Sequence, residues 1–211
     1  MRDSSIKKVL VLGSGPIKIG QAAEFDYAGT QACRALKEEG CSVILLNSNP
    51  ATIQTDDSVA DVVYIRPLLP ETVESILKEH HPDGVVATLG GQTGLNLCMQ
   101  CEKLGMWKRY KCRVLGTQPE AIERAEAREP FRRAMLEAHQ PIIASRGITT
   151  VAEAQEFALH TPLPLILRPD FTLGGSGNSV IRDVESFVVQ TEDALTASPV
   201  GHALIERYLE G

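Results

Sequence analysis

Residues 9–21 read VLVLGSGPIKIGQ: four apolar residues, then Gly13-Ser14-Gly15, then a short stretch leading into a helical pattern. An apolar strand that runs through a glycine turn toward a helix is the opening move of an α/β unit, and also the place where such units hold phosphate. Spacing tests that second role. A dinucleotide fingerprint needs G-x-G-x-x-G, but Lys18 stands at the third glycine position and Gly20 comes two residues late. A P-loop needs G-x-x-x-x-G-K-[ST]; Gly15 and Gly20 have the gap, yet Gln21 and Ala22 replace the Lys and the hydroxyl residue. Both standard motifs are incomplete. Glycine turns also arise for purely structural reasons where a chain reverses tightly, so spacing alone leaves both readings open here.

The pattern repeats outward from this stretch. Short β-branched runs at 8–12, 42–47, 62–65, 84–88 and 114–115 alternate with helical patterns at 28–39, 70–79 and after Gly94, the first of them stopped by Gly40 in the position that helix ends favour. This alternation predicts a parallel sheet with helices on both faces. Ligands of such sheets sit beyond the carboxyl ends of the strands. Three polar loops fall at that edge: Gly13, Gly15 and Gln21 in the first, Asn47 and Asn49 in the second, Gly90, Gly91 and Gln92 in the third. Together they make a better site candidate than any one alone.

A different pattern starts near residue 118. Residues 119–138 are charged and helical, with a break expected at Pro130. Strands at 142–145, 163–168, 179–182 and 203–208, with helices at 151–160 and 184–194, give the order β-α-β-β-α-β of a small α+β sandwich. The sequence LILRPDFTLGGSGNSVI, 165–181, delivers Arg168 to the end of an apolar strand and follows it with Gly174-Gly175-Ser176-Gly177. Glycines let backbone N–H groups approach phosphate oxygens, and arginine supplies a fixed cationic fork. A hairpin turn would also use the glycines; the terminal arginine favours phosphate.

Composition excludes several classes. At 211 residues the chain suits one large or two small domains, and 43% hydrophobic with 23% charged residues is ordinary for a globular protein. A net charge of −6 argues against nucleic acid or an anionic membrane surface as partner. No apolar run approaches the roughly 20 residues of a bilayer span, and MRDSSIKK lacks a signal-peptide core, which predicts a cytoplasmic protein. Five cysteines (33, 41, 98, 101, 112) make no disulfide framework. Cys98 and Cys101 are three apart on a helical face without a second ligand pair, and read as small buried residues rather than a zinc site.

Four long stretches, VLVLGSGPIKIGQAAEFDYAGTQACRALKEEG, LLNSNPATIQTD, LGGQTGLNL and LRPDFTLGGSG, together resemble the large chain of carbamoyl-phosphate synthase, in its amino-terminal, carboxyphosphate-forming half. The resemblance covers nearly the whole chain in order. It implies a Rossmann-like pre-ATP-grasp domain over 1–117, a helical connector over 118–140, and the α+β lid subdomain of an incomplete ATP-grasp module over 141–211. It further implies ATP and Mg2+ as cofactors, bicarbonate and ammonia as substrates, and as partners a glutaminase small subunit and the remainder of the large chain. Carbamoyl phosphate of this origin feeds arginine and pyrimidine biosynthesis. Carried over by position, Arg128 and Arg168 match ATP-contacting arginines, Gly174 and Gly175 lie in the lid loop over the phosphates, and Leu209 matches an adenine-pocket residue. The resemblance therefore places ATP on the second half, and makes the Gly13–Gln21 loop a shaper of the surface facing the active site. A biotin-carboxylase-like ligase is the nearest alternative family, and the stretch GQAAEFDYAGTQA speaks against it.

Departures from the family pattern accompany these matches. Its metal-binding residues are expected beyond position 211, so no metal ligand or catalytic residue is assigned within the chain, and the isolated chain is expected to be inactive. Ala127 replaces an acidic residue before Arg128, Asn178 and Ser179 stand where glycines are usual, and Arg207 takes the place of an adenine-side glutamate. Two other readings follow from the truncation: a separately encoded chain that completes the module, or a non-catalytic module that docks a glutaminase or a complementing fragment.

Overall fold

The computed structural model describes residues 3–17, 24–126, 128–170, 172, 175, 177–198 and 200–209, Arg128 by its backbone only. They divide into two compact units, Met1–Glu123 and Arg124–Gly211. None of the described helices is long and apolar enough to cross a membrane.

In the first unit, strands β1 (Lys8–Leu12), β2 (Ser42–Asn47), β3 (Val62–Ile65), β4 (Gly84–Val86) and β5 (Arg113–Leu115) form one sheet in the order β3-β2-β1-β4-β5, every neighbouring pair parallel. Its central strands are uninterrupted apolar runs because both faces are covered. Leu10, Leu12, Ile44, Leu46 and Val85 share a core with Val73, Ile76 and Leu77 of helix α2 (Pro70–His80), which opens on a proline at its first position, and with Leu97, Cys98 and Cys101 of α3 (Gly91–Lys103). The opposite rows, Val9, Val11, Val43 and Leu45, pack with Cys33 of α1 (Glu24–Glu38). Past α1, Gly40 takes φ +75° and Cys41 N–H returns to the Leu36 carbonyl, the expected glycine stop. The short α4 (Met106–Arg109) and then α5 (Pro119–Glu126) complete this stretch.

The second unit opens with α6 (Arg128–Glu137). Its antiparallel sheet contains β6 (Ser145–Ile148), β7 (Leu165–Pro169), β8 (Ser179–Ile181) and β9 (Ala203–Arg207) in the order β6-β9-β7-β8. Helix α7 (Val151–Ala158) follows β6 and α8 (Phe187–Ala197) follows β8, which gives the β-α-β-β-α-β order read from the sequence. One face of the sheet is the core: Leu165, Leu167, Ile181, Ala203 and Ile205 pack with Ala154 of α7 and with Phe187 and Ala194 of α8.

Several boundaries differ from expectation for identifiable reasons. The break expected at Pro130 is not found there: Pro130 lies within α6, and Ala127, between α5 and α6, falls outside the described residues. The strand expected at 142–145 lies at Ser145–Ile148; Ile148 is fully buried while Ile143 is 37% exposed, and Gly147 hides the alternation. The helix expected from 184 begins at Phe187, because Asp183 Oδ1 accepts the Ser186 N–H at 2.8 Å and closes a turn first. The strand expected at 84–88 stops at Val86, and Thr88–Gly90 make a single 3-10 turn straight into α3.

Candidate functional site

The first unit places its polar loops at the carboxyl edge, as expected, yet their side chains are used against one another. The chain reverses direction across the sheet between β1 and β4, the position where open α/β sheets leave a crevice. Around it, Asn47 Nδ2 donates to Gln54 Oε1 at 2.7 Å, both residues fully buried, and Gln54 Nε2 donates to the Phe25 carbonyl at 3.4 Å. Asn47 Oδ1 accepts the Asn49 N–H at 2.9 Å, and Asn49 Oδ1 the Ala51 N–H at 3.0 Å. This amide pair occupies the space above Gly13: a Cβ there would meet Asn47 Nδ2 and Gln54 Oε1 at 2.5 Å. A Cβ at Gly90 would meet the Leu12 carbonyl at the same distance. Gly15 and Gly91 take positive φ, and Gln92 is turned along α3 to donate to Asn96. Gln21 lies outside the described residues. The glycines here admit protein, which answers why the loop resembles a phosphate motif without matching one.

The antiparallel sheet of the second unit offers a different surface. Side chains alternate across a strand, so the rows that pair off against Leu165 and Leu167 point away from the helices. That open face carries Ile166 and Arg168 of β7, Val180 of β8, and Leu204 and Glu206 of β9, with Ile166 opposite Glu206 and Arg168 opposite Leu204 in register. Three half-buried apolar side chains thus form a floor from which Arg168 rises. Arg168 Nε donates to Glu206 Oε1 at 2.5 Å, and the arginine side chain is still 38% exposed. At one end of the same face the Arg182 guanidinium lies 5.5 Å from the Tyr208 ring centroid. At the other, His202 Nδ1 and Asp170 Oδ2 are 2.6 Å apart at the root of the glycine loop.

Of that loop the described residues are Thr172, Gly175, Gly177 and Asn178. Gly175 takes φ +73° and its carbonyl accepts the Asn178 N–H at 3.1 Å. Gly177 takes φ +77° and sits so close that a Cβ would meet Ala197 at 2.9 Å. Gly174, Ala127 and the side chain of Arg128 fall outside what is described. Leu209 follows β9 and is 58% exposed. Ser179 has a buried hydroxyl without a hydrogen-bond partner among the described residues. Arg207 pairs in register with Leu165 and so belongs to the opposite row from Arg168; the carboxylate on the arginine's own face is Glu206, which the sequence reading passed over. The run ALIER shows only an acid near a strand end; its partner depends on which strand lies beside it. Among the described residues, no group of three His, Cys, Asp or Glu side chains is placed to hold a metal ion.

Residues 5–124 match the family described as carbamoyl phosphate synthase preATP-grasp domain, and residues 127–211 the carbamoyl-phosphate synthase L chain, ATP binding domain. The chain belongs to the carbamoyl-phosphate synthase large-chain family. That family is one of ATP-grasp ligases, and this chain corresponds to its amino-terminal part. It is 49% identical over 210 residues to the arginine-specific carbamoyl phosphate synthase large chain of Bacillus subtilis, and 50% identical over 210 residues to the large chain of Thermomicrobium roseum. Each alignment covers this whole chain and 20% of the relative, so the chain spans about a fifth of the length of the curated relatives it matches. Among solved structures, the biotin carboxylase domain of Hydrogenobacter thermophilus 2-oxoglutarate carboxylase, determined with MgADP and bicarbonate, superposes with a TM-score of 0.69 at 23% identity, over 97% of this chain and 45% of that one. The shared fold makes the carbamoyl-phosphate synthase chain and biotin carboxylases structural neighbours, while sequence separates them.

Proposed function

We propose that this chain contributes the nucleotide lid of the bicarbonate-activating ATP-grasp site of a carbamoyl-phosphate synthase large chain. The observation that carries the reading is Arg168, held by Glu206 over the apolar floor of Ile166, Val180 and Leu204, at the foot of the Gly174–Gly177 loop. An exposed, paired guanidinium one strand-end before a glycine-rich loop suits a polyphosphate, and the apolar floor suits the flat face of a base. The MgADP and bicarbonate of the neighbouring carboxylase domain support the same ligand class. In this reading the lid spans about 141–211, after a pre-ATP-grasp domain over 1–117 and a connector over 118–140.

The nucleotide, when bound, supplies the phosphoryl group that activates bicarbonate as carboxyphosphate, which ammonia from a glutaminase subunit converts to carbamate. The work of this chain's residues is narrower. Arg168 and the loop amides, Gly175 among them, neutralise charge on the phosphate chain and fix its direction, which is most of what phosphoryl transfer asks of a protein. Mg2+ would accompany the nucleotide and neutralise charge between its phosphates. The setting is cytoplasmic, and the product serves arginine or pyrimidine synthesis.

Bicarbonate-dependent ATP hydrolysis by this chain assembled with the remainder of the large chain tests the reading. Arg168→Ala is expected to lower the rate by about 100-fold. An unchanged rate in a complex that still assembles would overturn it.

A further inference from the structure

We propose that Glu206 is the positioning residue of the site: it acts on the phosphate chain only through Arg168. The inference rests on the nucleotide reading above and deepens it.

Glu206 is the one charged side chain among the buried described residues, 9% exposed. A carboxylate in that position is unfavourable unless paired, and removing one partner of such a pair strands the other. Its partner is chosen by register. Arg168 stands opposite Leu204, and Glu206 lies one pair further along, opposite Ile166, on the hydrogen-bonded neighbouring strand. Diagonal neighbours of this kind are within reach of long side chains. The arginine therefore lies back along the sheet to reach the acid, instead of standing upright from its own Cα.

The atom used is informative. The contact is made by Nε, the inner donor of the guanidinium, at 2.5 Å. A carboxylate on Nε restrains the guanidinium plane without consuming the Nη donors. Arginine has five N–H donors in a rigid fork, so fixing one fixes the direction of the rest. The arginine side chain is 38% exposed against 11% for the acid, so the pair joins a buried carboxylate to a cation that solvent reaches. The pair matches a phosphate fork in waiting.

The experiment is a double-mutant cycle on the 211-residue chain, read by calorimetry with ATP and with adenosine. Glu206→Ala is expected to weaken ATP by about tenfold to a hundredfold while leaving adenosine unchanged, because misdirecting Arg168 affects only the phosphates. Glu206→Gln, which keeps an acceptor for Nε, should recover most of the loss. In the Arg168→Ala background, Glu206→Ala should add nothing. Equal loss for adenosine and ATP, or additive losses in the double variant, would overturn the proposal. Failure of the wild-type chain to bind either nucleotide would count against the nucleotide reading instead, and a second measurement still decides the positioning claim. In 15N-edited spectra the Arg168 Nε–H should be protected from solvent exchange in the wild type and unprotected in Glu206→Ala, with backbone amide shifts otherwise preserved. Equal protection in both proteins would overturn it.

Discussion

A Cβ placed on Gly29 would fall on the carboxamide of Gln54, and one on Gly13 would fall between Asn47 and Gln54. These two glycines face a single fully buried amide pair, so each is required by close approach and not by backbone conformation. Gly29→Ala is expected to destabilise the first unit by about 1–3 kcal/mol, as overpacking does, measured by urea denaturation. A change below about 0.5 kcal/mol, the range of ordinary surface substitutions, would mean that Gln54 has room to move. This scale was the least legible in the sequence. Spacing showed that Gly13–Gln21 misses both nucleotide motifs, but a glycine admitting phosphate and a glycine admitting a neighbouring amide look alike in one dimension. Asn47 and Gln54 come together only because the intervening loop folds back, through Thr52 Oγ1 accepting the Gln54 N–H at 3.1 Å. Arg168 was legible as a cation ending an apolar strand. Glu206 was not, since its meaning depends on which strand lies beside it.

Between residues and the whole stand the elements, where sequence reading did best. The parallel strands at 42–47 and 62–65 were read at their observed bounds, the first because burial on both faces leaves an unbroken apolar run and the second because VVYI is β-branched and aromatic throughout. The errors fall where a local hydrogen bond delays a helix, as Asp183 does before α8, or where a glycine interrupts alternation, as Gly147 does in β6. Helix α7 begins with a reciprocal cap: Thr150 Oγ1 accepts the Glu153 N–H at 3.3 Å, and Glu153 Oε2 accepts the backbone N–H groups of Thr149 at 2.6 Å and Thr150 at 3.2 Å. Thr150→Ala should destabilise the second unit by about 1 kcal/mol, by urea or thermal denaturation. The backbone bond from Thr149, joined by its hydroxyl, holds the Glu153 carboxyl below its ordinary value. A lowered folded-state value contributes stability that is present above the unfolded-state value and is lost as pH falls through the folded one. The acid sensitivity of the second unit should therefore shrink in Glu153→Gln. An identical acid limb in both proteins would contradict the cap's role.

At the scale of the whole molecule, the described residues hold four buried thiols, Cys33 on α1, pushed by burial up to about 11, and three packed in one core: Cys98 and Cys101 on α3, and Cys112 just before β5. Burial pushes Cys98 up to about 11 and Cys101 and Cys112 up to about 12. A folded-state value raised above the unfolded one contributes stability that is complete below the unfolded value and is lost as pH rises through the folded one. Stability of the chain should hold to about pH 9 and decline from there toward about 12. Replacing these three cysteines with alanine should flatten that decline, checked by denaturant titration at stepped pH; an unchanged slope would assign it elsewhere. At neutral pH, iodoacetamide should label half-buried Cys41 well before Cys98, Cys101 or Cys112. These thiols fill a core, as the helical spacing of Cys98 and Cys101 indicated for those two.

What unites the scales is a division of labour. In the parallel unit Gly13, Gly29 and Gly90 admit neighbouring protein atoms, and the antiparallel unit carries Arg168, paired with Glu206, on the sheet face away from its helices. Calorimetric titration of the chain with Mg-ATP, beside Arg168→Ala of demonstrated equal fold, tests that claim most directly. The account predicts a dissociation constant on the order of micromolar for the wild type, and loss of detectable binding in the variant. The same isotherm from both proteins would contradict it.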